Sequence, residues 1–471
     1  MQLQTGVPQL VRFDPHLAER RFGYGRSPVV APPGDVGEML AGLTAADVAA
    51  QAHPLPDFAR VQEAMVLRRR FQSYARKQGD TPEGQAARER ADDVLRSLRE
   101  DHGRWFARIL LRRMTTRSAL RERLVAFWAD HFTAQGRNPI LRAAAPIYVE
   151  EAVRPHIAGR FSDLLMACVT HPLMLHYLDQ STSAGPNSRL ARRLPERRLG
   201  LNENLAREVL ELHTLGADAA YTQRDVQELA KLLTGLSSTR NNGFKFRPGL
   251  TEPGQEIVLG RRYGDDGGIA TIRAVMEDLA THPATARHIA RKLAVHFLAD
   301  DPPEAVVTAI EARFNATGGD LGACVATLLE RPEAWALPCR NIRPPEEFMS
   351  AALRALAPPV QVLDTLGLDD IRRLFFQPLR VMGQPWLEPP GPDGFEESDG
   401  AWVTPQGVAA RLEWAVTGPA RLMEALPDPR VFVTTALGPD APETVAFAAG
   451  AAEERAVAIG LVLASPAFQR R

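Results

Sequence analysis

The densest run of groups that could do chemistry is residues 201–216, LNENLAREVLELHTLG, continued by 221–236, YTQRDVQELAKLLTGL. It sets Glu208 and Glu211 beside Asn204, Arg207 and His213, among leucines of core type. Wound at about 100° per residue from Asn204, Glu208 falls near ~40°, Glu211 near ~−20° and Arg207 near ~−60°. These four share one narrow polar stripe. His213 falls near ~180°, on the apolar side, so it cannot complete a ligand set with the two glutamates. Glu208 and Glu211, three residues apart, can share a site. Carboxylates that close repel, which lifts one pKa into the range useful for proton transfer, and Arg207 would then hold an anion. A structural reading competes. Arg207 and Glu211 form an i, i+4 ion pair, and Asn204 lies where an amide can cap the helix.

Other segments must complete any such site. His131 is the first candidate. It ends 118–133, SALRERLVAFWADHFT, where Leu120, Leu124, Phe127 and Trp128 recur at helical spacing and Ser118 with Glu122 suggests a helix start. A hydrogen-bonded core role suits His131 equally well. The second candidate region is 382–402, MGQPWLEPPGPDGFEESDGAW, rich in Pro and Gly yet carrying Trp386, Phe395 and Trp402. Aromatic side chains in such a stretch predict an ordered loop packed on the body, with Trp386 at a pocket wall. His282, His288 and His296 lack the compact spacing of a ligand pair, and His296 reads as core.

The familiar catalytic signatures are missing. There is no GxxxxGK[ST] loop, no GxGxxG after a strand, no HExxH and no GxSxG. No nucleotide or dinucleotide cofactor is therefore expected. A divalent metal stays open, although the paired Glu-x-x-His motif of di-metal bundles has no second copy. The three cysteines, Cys168, Cys324 and Cys339, are far apart and contain no CxxC, so neither a zinc ribbon nor a disulfide framework is expected. Lysine and arginine total 56 against 57 acidic residues, which gives no support for nucleic-acid binding. No run of about 18 apolar residues exists for a membrane span, and the N-terminus lacks the pattern of an export leader. A cytoplasmic location is the expectation.

The elements needed to hold these residues are helical almost throughout. The expected fold is mainly α, a multi-helix array with one small β-hairpin near 244–260, formed by the alternating Phe244–Arg247 and the β-like Glu256–Leu259. The reading divides the chain into regions 1–120, 121–300 and 301–471 of one compact unit. Asp35–Ala50 reads as one helix, and Thr222 with Asp225 as a capping box. Residues 179–200 carry five arginines between 189 and 198 and read as a long exposed loop able to attract an anionic substrate or partner.

Five stretches together carry a family resemblance: FWADHF at 127–132, NENLAREVLELHTLG at 202–216, YTQRDVQELAKLLTG at 221–235, HPATARHIARKLAVHF at 282–297 and MGQPWLEPPGPDGF at 382–395. With them the chain resembles the bacterial family known as domain of unknown function 1800 over nearly its whole length. The resemblance implies a mostly helical fold and no established activity. Many relatives are encoded beside a sulfatase-like family, which implies a protein partner, and many carry export signals, which together imply work on exported polymers or sulfated or phosphorylated material. Leu236 stands where relatives typically have an aromatic residue, and Thr251 where a histidine is common, which implies a reduced or altered site. On all of this the sequence leans toward a non-catalytic scaffold or accessory protein. The alternative is a hydrolase-type enzyme with a carboxylate and histidine site on packed helices, metal-assisted or not, acting on an anionic or polymeric substrate.

Overall fold

The computed structural model describes residues 13–239, 243–264, 268–336 and 338–471. Residues 1–12, which hold much of the stretch examined for a leader, lie outside the described residues. Helices make up most of the fold, and the β structure is two small antiparallel pairs.

The long helix Pro82–Thr115 ties the molecule together. It starts on Thr81, whose hydroxyl accepts from the amide of Gly84, and packs along helix Ala59–Gln78. Its Leu95, Leu98 and Trp105 enter one hydrophobic core, which is built around Trp128, Phe132, Phe161, Leu205 and Val209. Its Phe106, Leu110 and Met114 enter a second core, with Phe348, Leu353, Phe375 and Trp414. A buried clamp joins the two. Arg354 is fully buried and donates to the carbonyls of Arg113, Met114 and Thr116 at 3.1, 3.2 and 2.9 Å and to Gly25 at 3.0 Å. Its charge is met by Glu19 at 3.2 Å.

Several expectations shift in detail. Asp35–Ala50 is broken into helices Val36–Thr44 and Val48–Ala52, because Asp47 caps the second. The single hairpin becomes two. β1 (Leu236–Thr239) pairs with β2 (Gly243–Phe246), and β3 (Glu256–Val258) with β4 (Arg261–Tyr263). Phe244 and Glu256 thus belong to different sheets. The second pair turns through Leu259 and Gly260, at φ of 48° and 77°. Two successive positive φ values are what a tight hairpin needs to match strand twist. The capping box of Thr222 and Asp225 forms as read. The arginine loop is ordered, with a short helix Arg189–Arg193.

Candidate functional site

Helix Ala119–His131 serves both a core and a cavity. Leu120, Leu124, Phe127 and Trp128 are buried in the first core. Glu122, Ala126 and Asp130, spaced four apart, form a row on another side and line a cavity of about 130 Å³. The second wall is the end of helix Pro82–Thr115, with Arg112 and Arg113. The third is 148–154, with Tyr148, Glu150 and Arg154, where the chain runs through a π turn, Val149–Val153. The fourth is the start of helix Pro345–Leu356, with Glu346 and Glu347. The loop carrying Trp386, Phe395, Glu397 and Trp402 covers it, and His296 reaches in from helix Pro283–Phe297.

Each arginine at this cavity is committed to a carboxylate. Arg112 meets Glu150 at 2.6 Å, Arg113 meets Glu346 at 2.6 Å and Arg123 meets Glu347 at 2.5 Å. Arg154 is shared by Glu122 at 2.8 Å and Asp47 at 2.7 Å. Behind the wall, Arg471 and Arg343 also reach Glu347, at 3.0 and 3.4 Å. Charges buried this deeply survive only when paired.

Asp130 stands apart from that network, and Glu397 joins it through His296 and Arg471. Asp130 accepts the backbone amide of Phe395 at 2.9 Å and, among the described residues, has no arginine within ion-pair distance. Burial first, then the charge of Glu397, pushes its carboxyl up to about 7, with Asp393 adding, against the Phe395 amide and Lys292. Glu397 goes the opposite way. Burial alone would raise it, but His296 at 3.1 Å, Arg471 and Lys292 hold it well below the usual carboxylate range. Burial in turn depresses His296, so at neutral pH the pair is carboxylate and neutral imidazole. His296 also lies 2.9 Å from Arg123 through its other nitrogen. Two neighbouring carboxyls driven apart in pKa are the pattern from which acid and base roles are assigned. Gly394 is required by this contact. A Cβ there would sit 2.5 Å from Asp130 Oδ2, and φ is +86°.

Most of the residues singled out by sequence occupy other ground. Of the candidate region 382–402, Trp386, Phe395 and Trp402 line the cavity, Trp386 packing on His102 at 4.7 Å and Phe106 at 4.8 Å between ring centres. Asn204, Arg207, Glu208 and Glu211 lie outside its lining. Arg207 is taken up by Glu203 at 3.3 Å, Glu211 at 3.4 Å and Gln223 at 2.9 Å. Asn204 is exposed and does not cap. Its backbone N–H instead donates to the side-chain oxygen of Asn202 at 2.9 Å. Ser118 sits at its helix start without making a capping bond, and Glu122 is engaged by Arg154. Glu208 is half-buried, and burial followed by Glu211 pushes it up to about 7. Asp393 acts on both Glu208 and Asp130, so the covering loop lies electrostatically between the stripe and the cavity.

His131 and His213 meet, but in the core. The chain is α-helical over Asn204–Glu208 and then widens into a π turn, Val209–His213. Both imidazoles are buried, 6.1 Å apart between centres, with His288 6.0 Å from His131. His131 Nε2 donates to the carbonyl of His213 at 3.2 Å, and His288 Nε2 to that of Leu212 at 3.3 Å. Burial and then Lys292 lower all three, His213 to about 3 and His288 to about 4. Among the described residues no group of three or more His, Cys, Asp or Glu is arranged to hold a metal ion. No described helix is long and apolar enough to cross a membrane.

Asp130 and Glu397 are not among the residues singled out in the sequence, and His296 reads there as core. Two of them lie within the family stretches, in FWADHF and in HPATARHIARKLAVHF, and Glu397 follows the third, PPGPDGF, by two residues. Stretches far apart in the chain thus converge on one cavity. This helical fold, with a charged cavity roofed by an aromatic loop, marks out a class of mainly α proteins. The sequence model of the family described as "Protein of unknown function (DUF1800)" matches residues 17–470, and the chain belongs to that family. No curated protein and no solved structure matches it.

Proposed function

We propose that the protein is a hydrolase-type enzyme whose proton-transfer group is Asp130. The observation that carries this reading is the Asp130–Glu397 pair at the cavity wall, one carboxyl pushed up to about 7 and the other held ionised. A group with a pKa near the working pH serves best as acid or base. Glu397, kept as a carboxylate, would stabilise positive charge that develops during bond cleavage. Trp386 and Trp402 would shield the cavity from bulk solvent while it admits the one water molecule that hydrolysis consumes. The stripe of Arg207 and Glu211 is then architecture, since its charges already satisfy one another. No described group serves as a metal site in this reading.

The test is turnover of a panel of chromogenic esters, amides and glycosides by wild type, Asp130→Asn and Glu397→Gln. The reading expects hydrolysis by wild type with a pH limb near ~7, and a loss of at least ~100-fold in kcat in Asp130→Asn. Hydrolysis that survives Asp130→Asn with an unchanged pH profile contradicts it.

A scaffold or accessory role, with a protein partner, is the second reading. It is favoured by exposed apolar side chains on helices Pro405–Leu422, Glu443–Ala451 and Arg455–Ala464, among them Leu412 at 47%, Phe447 at 78% and Leu461 at 40% exposure. A scaffold would co-purify with a partner and lose nothing on Asp130→Asn.

A further inference from the structure

Residues 189–198, RLARRLPERR, hold five arginines and one glutamate in a chain whose formal net charge is −1. Arg189, Arg192, Arg193, Arg197 and Arg198 are all exposed. Among the described residues none of them has a carboxylate within ion-pair distance, in contrast to the arginines of the cavity. The segment is also firmly held. Ala184 donates to the carbonyl of Gly200 at 3.0 Å, and Gly185 to that of Leu250 at 2.9 Å. Asn187 is gripped twice by Glu252, at 2.8 and 2.6 Å, and the buried Ser188 caps helix Arg189–Arg193. Exposed Lys245 and Arg247 lie on the neighbouring β2 and the turn after it, and helix Arg189–Arg193 packs on that turn, Pro248–Leu250.

Like charges three and four residues apart on a helix repel, and a rigid loop cannot relieve this by spreading. Such a surface is therefore destabilising by itself and attractive to anions. Its chemistry narrows the partner. The two leucines of the segment are half-buried, so no apolar side chain is free to enter a bilayer, and no aromatic ring in it offers a stacking platform for bases. What remains are exposed arginines whose Cβ atoms, three and four residues apart on the helix, stand about 5–6 Å from one another, each ending in a guanidinium fork. Alternate side chains of an extended peptide recur at about 6.6 Å, and each fork matches a carboxylate in bidentate fashion.

We propose that the arginine segment 189–198 is a docking site for an acidic peptide stretch of a partner protein, rich in Asp or Glu. This is independent of the chemistry assigned to the cavity. Decaglutamate with a fluorescent label is the probe, and its anisotropy is read at low and physiological salt. The full chain should bind it, more weakly as salt rises. The triple variant Arg192→Glu/Arg193→Glu/Arg197→Glu, checked for folding by circular dichroism and unchanged melting, should bind at least tenfold more weakly. Equal binding by the folded triple variant overturns the proposal. So does tighter binding of oligo-thymidylate or of phosphatidylserine vesicles than of decaglutamate, which would assign the patch to nucleic acid or to membrane.

Discussion

Replacing Asp130 with asparagine should make the protein more stable and pH should decide by how much. The carboxyl is pushed from an ordinary value of 3.8 up to about 7 by burial and by Glu397. The folded state therefore binds this proton more tightly than the unfolded chain does. Below about pH 4 both states carry it, and the group costs nothing. As pH rises from about 4 to 7 the unfolded chain releases the proton and the folded protein does not, so stability is lost across that window. A displacement of about 3 pH units corresponds to about 4 kcal/mol above pH 7. Asparagine keeps an oxygen to accept the Phe395 amide and has no charge to desolvate. Asp130→Asn should then match wild type at about pH 4 and exceed it by up to about 4 kcal/mol at about pH 8. For a chain of this length that is an increase of about 4 °C in melting temperature. Calorimetric melts at both pH values read it directly. If Asp130→Asn is no more stable at the higher pH, or less stable, the carboxyl is ionised at ease and the acid–base assignment fails. Gained stability with lost turnover is the expected signature of a strained functional group.

Two further substitutions test the supports of the site. Gly394→Ala places a Cβ against Asp130 at a φ of +86° and should destabilise by about 1–3 kcal/mol, seen as a lower melting temperature. Arg354→Met leaves Glu19 buried without its partner and strands four carbonyls, so it should cost about 3–5 kcal/mol in denaturant titration, while a surface arginine such as Arg372 replaced likewise should cost under about 1 kcal/mol.

Much of the fold is legible in the sequence. The spacing of Leu120, Leu124, Phe127 and Trp128 marks a helix whose apolar side is indeed buried. The aromatic residues of 382–402 foretell an ordered loop, because exposed tryptophans would be costly, and Trp386 and Trp402 are buried at the cavity. His213 does turn into the core, as the wheel has it. Other features leave little trace. β1 reads LSST, one apolar residue and three hydroxyls, too short for any alternation to show. The turn of β3 and β4 rests on Leu259 at positive φ, where Asn or Asp would have signalled it. The π turn at Val209–His213 has no residue signature, and it breaks the 3.6-residue count on which the stripe was drawn. Asp130 was hidden for a different reason. Its neighbours in space, Glu397 and Lys292, are more than 150 residues away in the chain, and the stripe of Glu208 and Glu211 drew notice through local density alone. Density within one helix favours pairs that neutralise one another, as Arg207 and Glu211 do. Asp130 instead owes its perturbation to burial and to groups brought in by tertiary contact.

The central claim concerns the ionisation of one side chain. Protein labelled with carbon-13 at aspartate carboxyls would be titrated by NMR in wild type and in Asp130→Asn. Glu208 and Glu256, also pushed up to about 7, stay silent under this label. The account predicts an aspartate resonance with a midpoint near about 7 that disappears in Asp130→Asn, and a lower midpoint for it in Glu397→Gln, where the raising charge is gone. An Asp130 resonance already ionised at about pH 5 would contradict it.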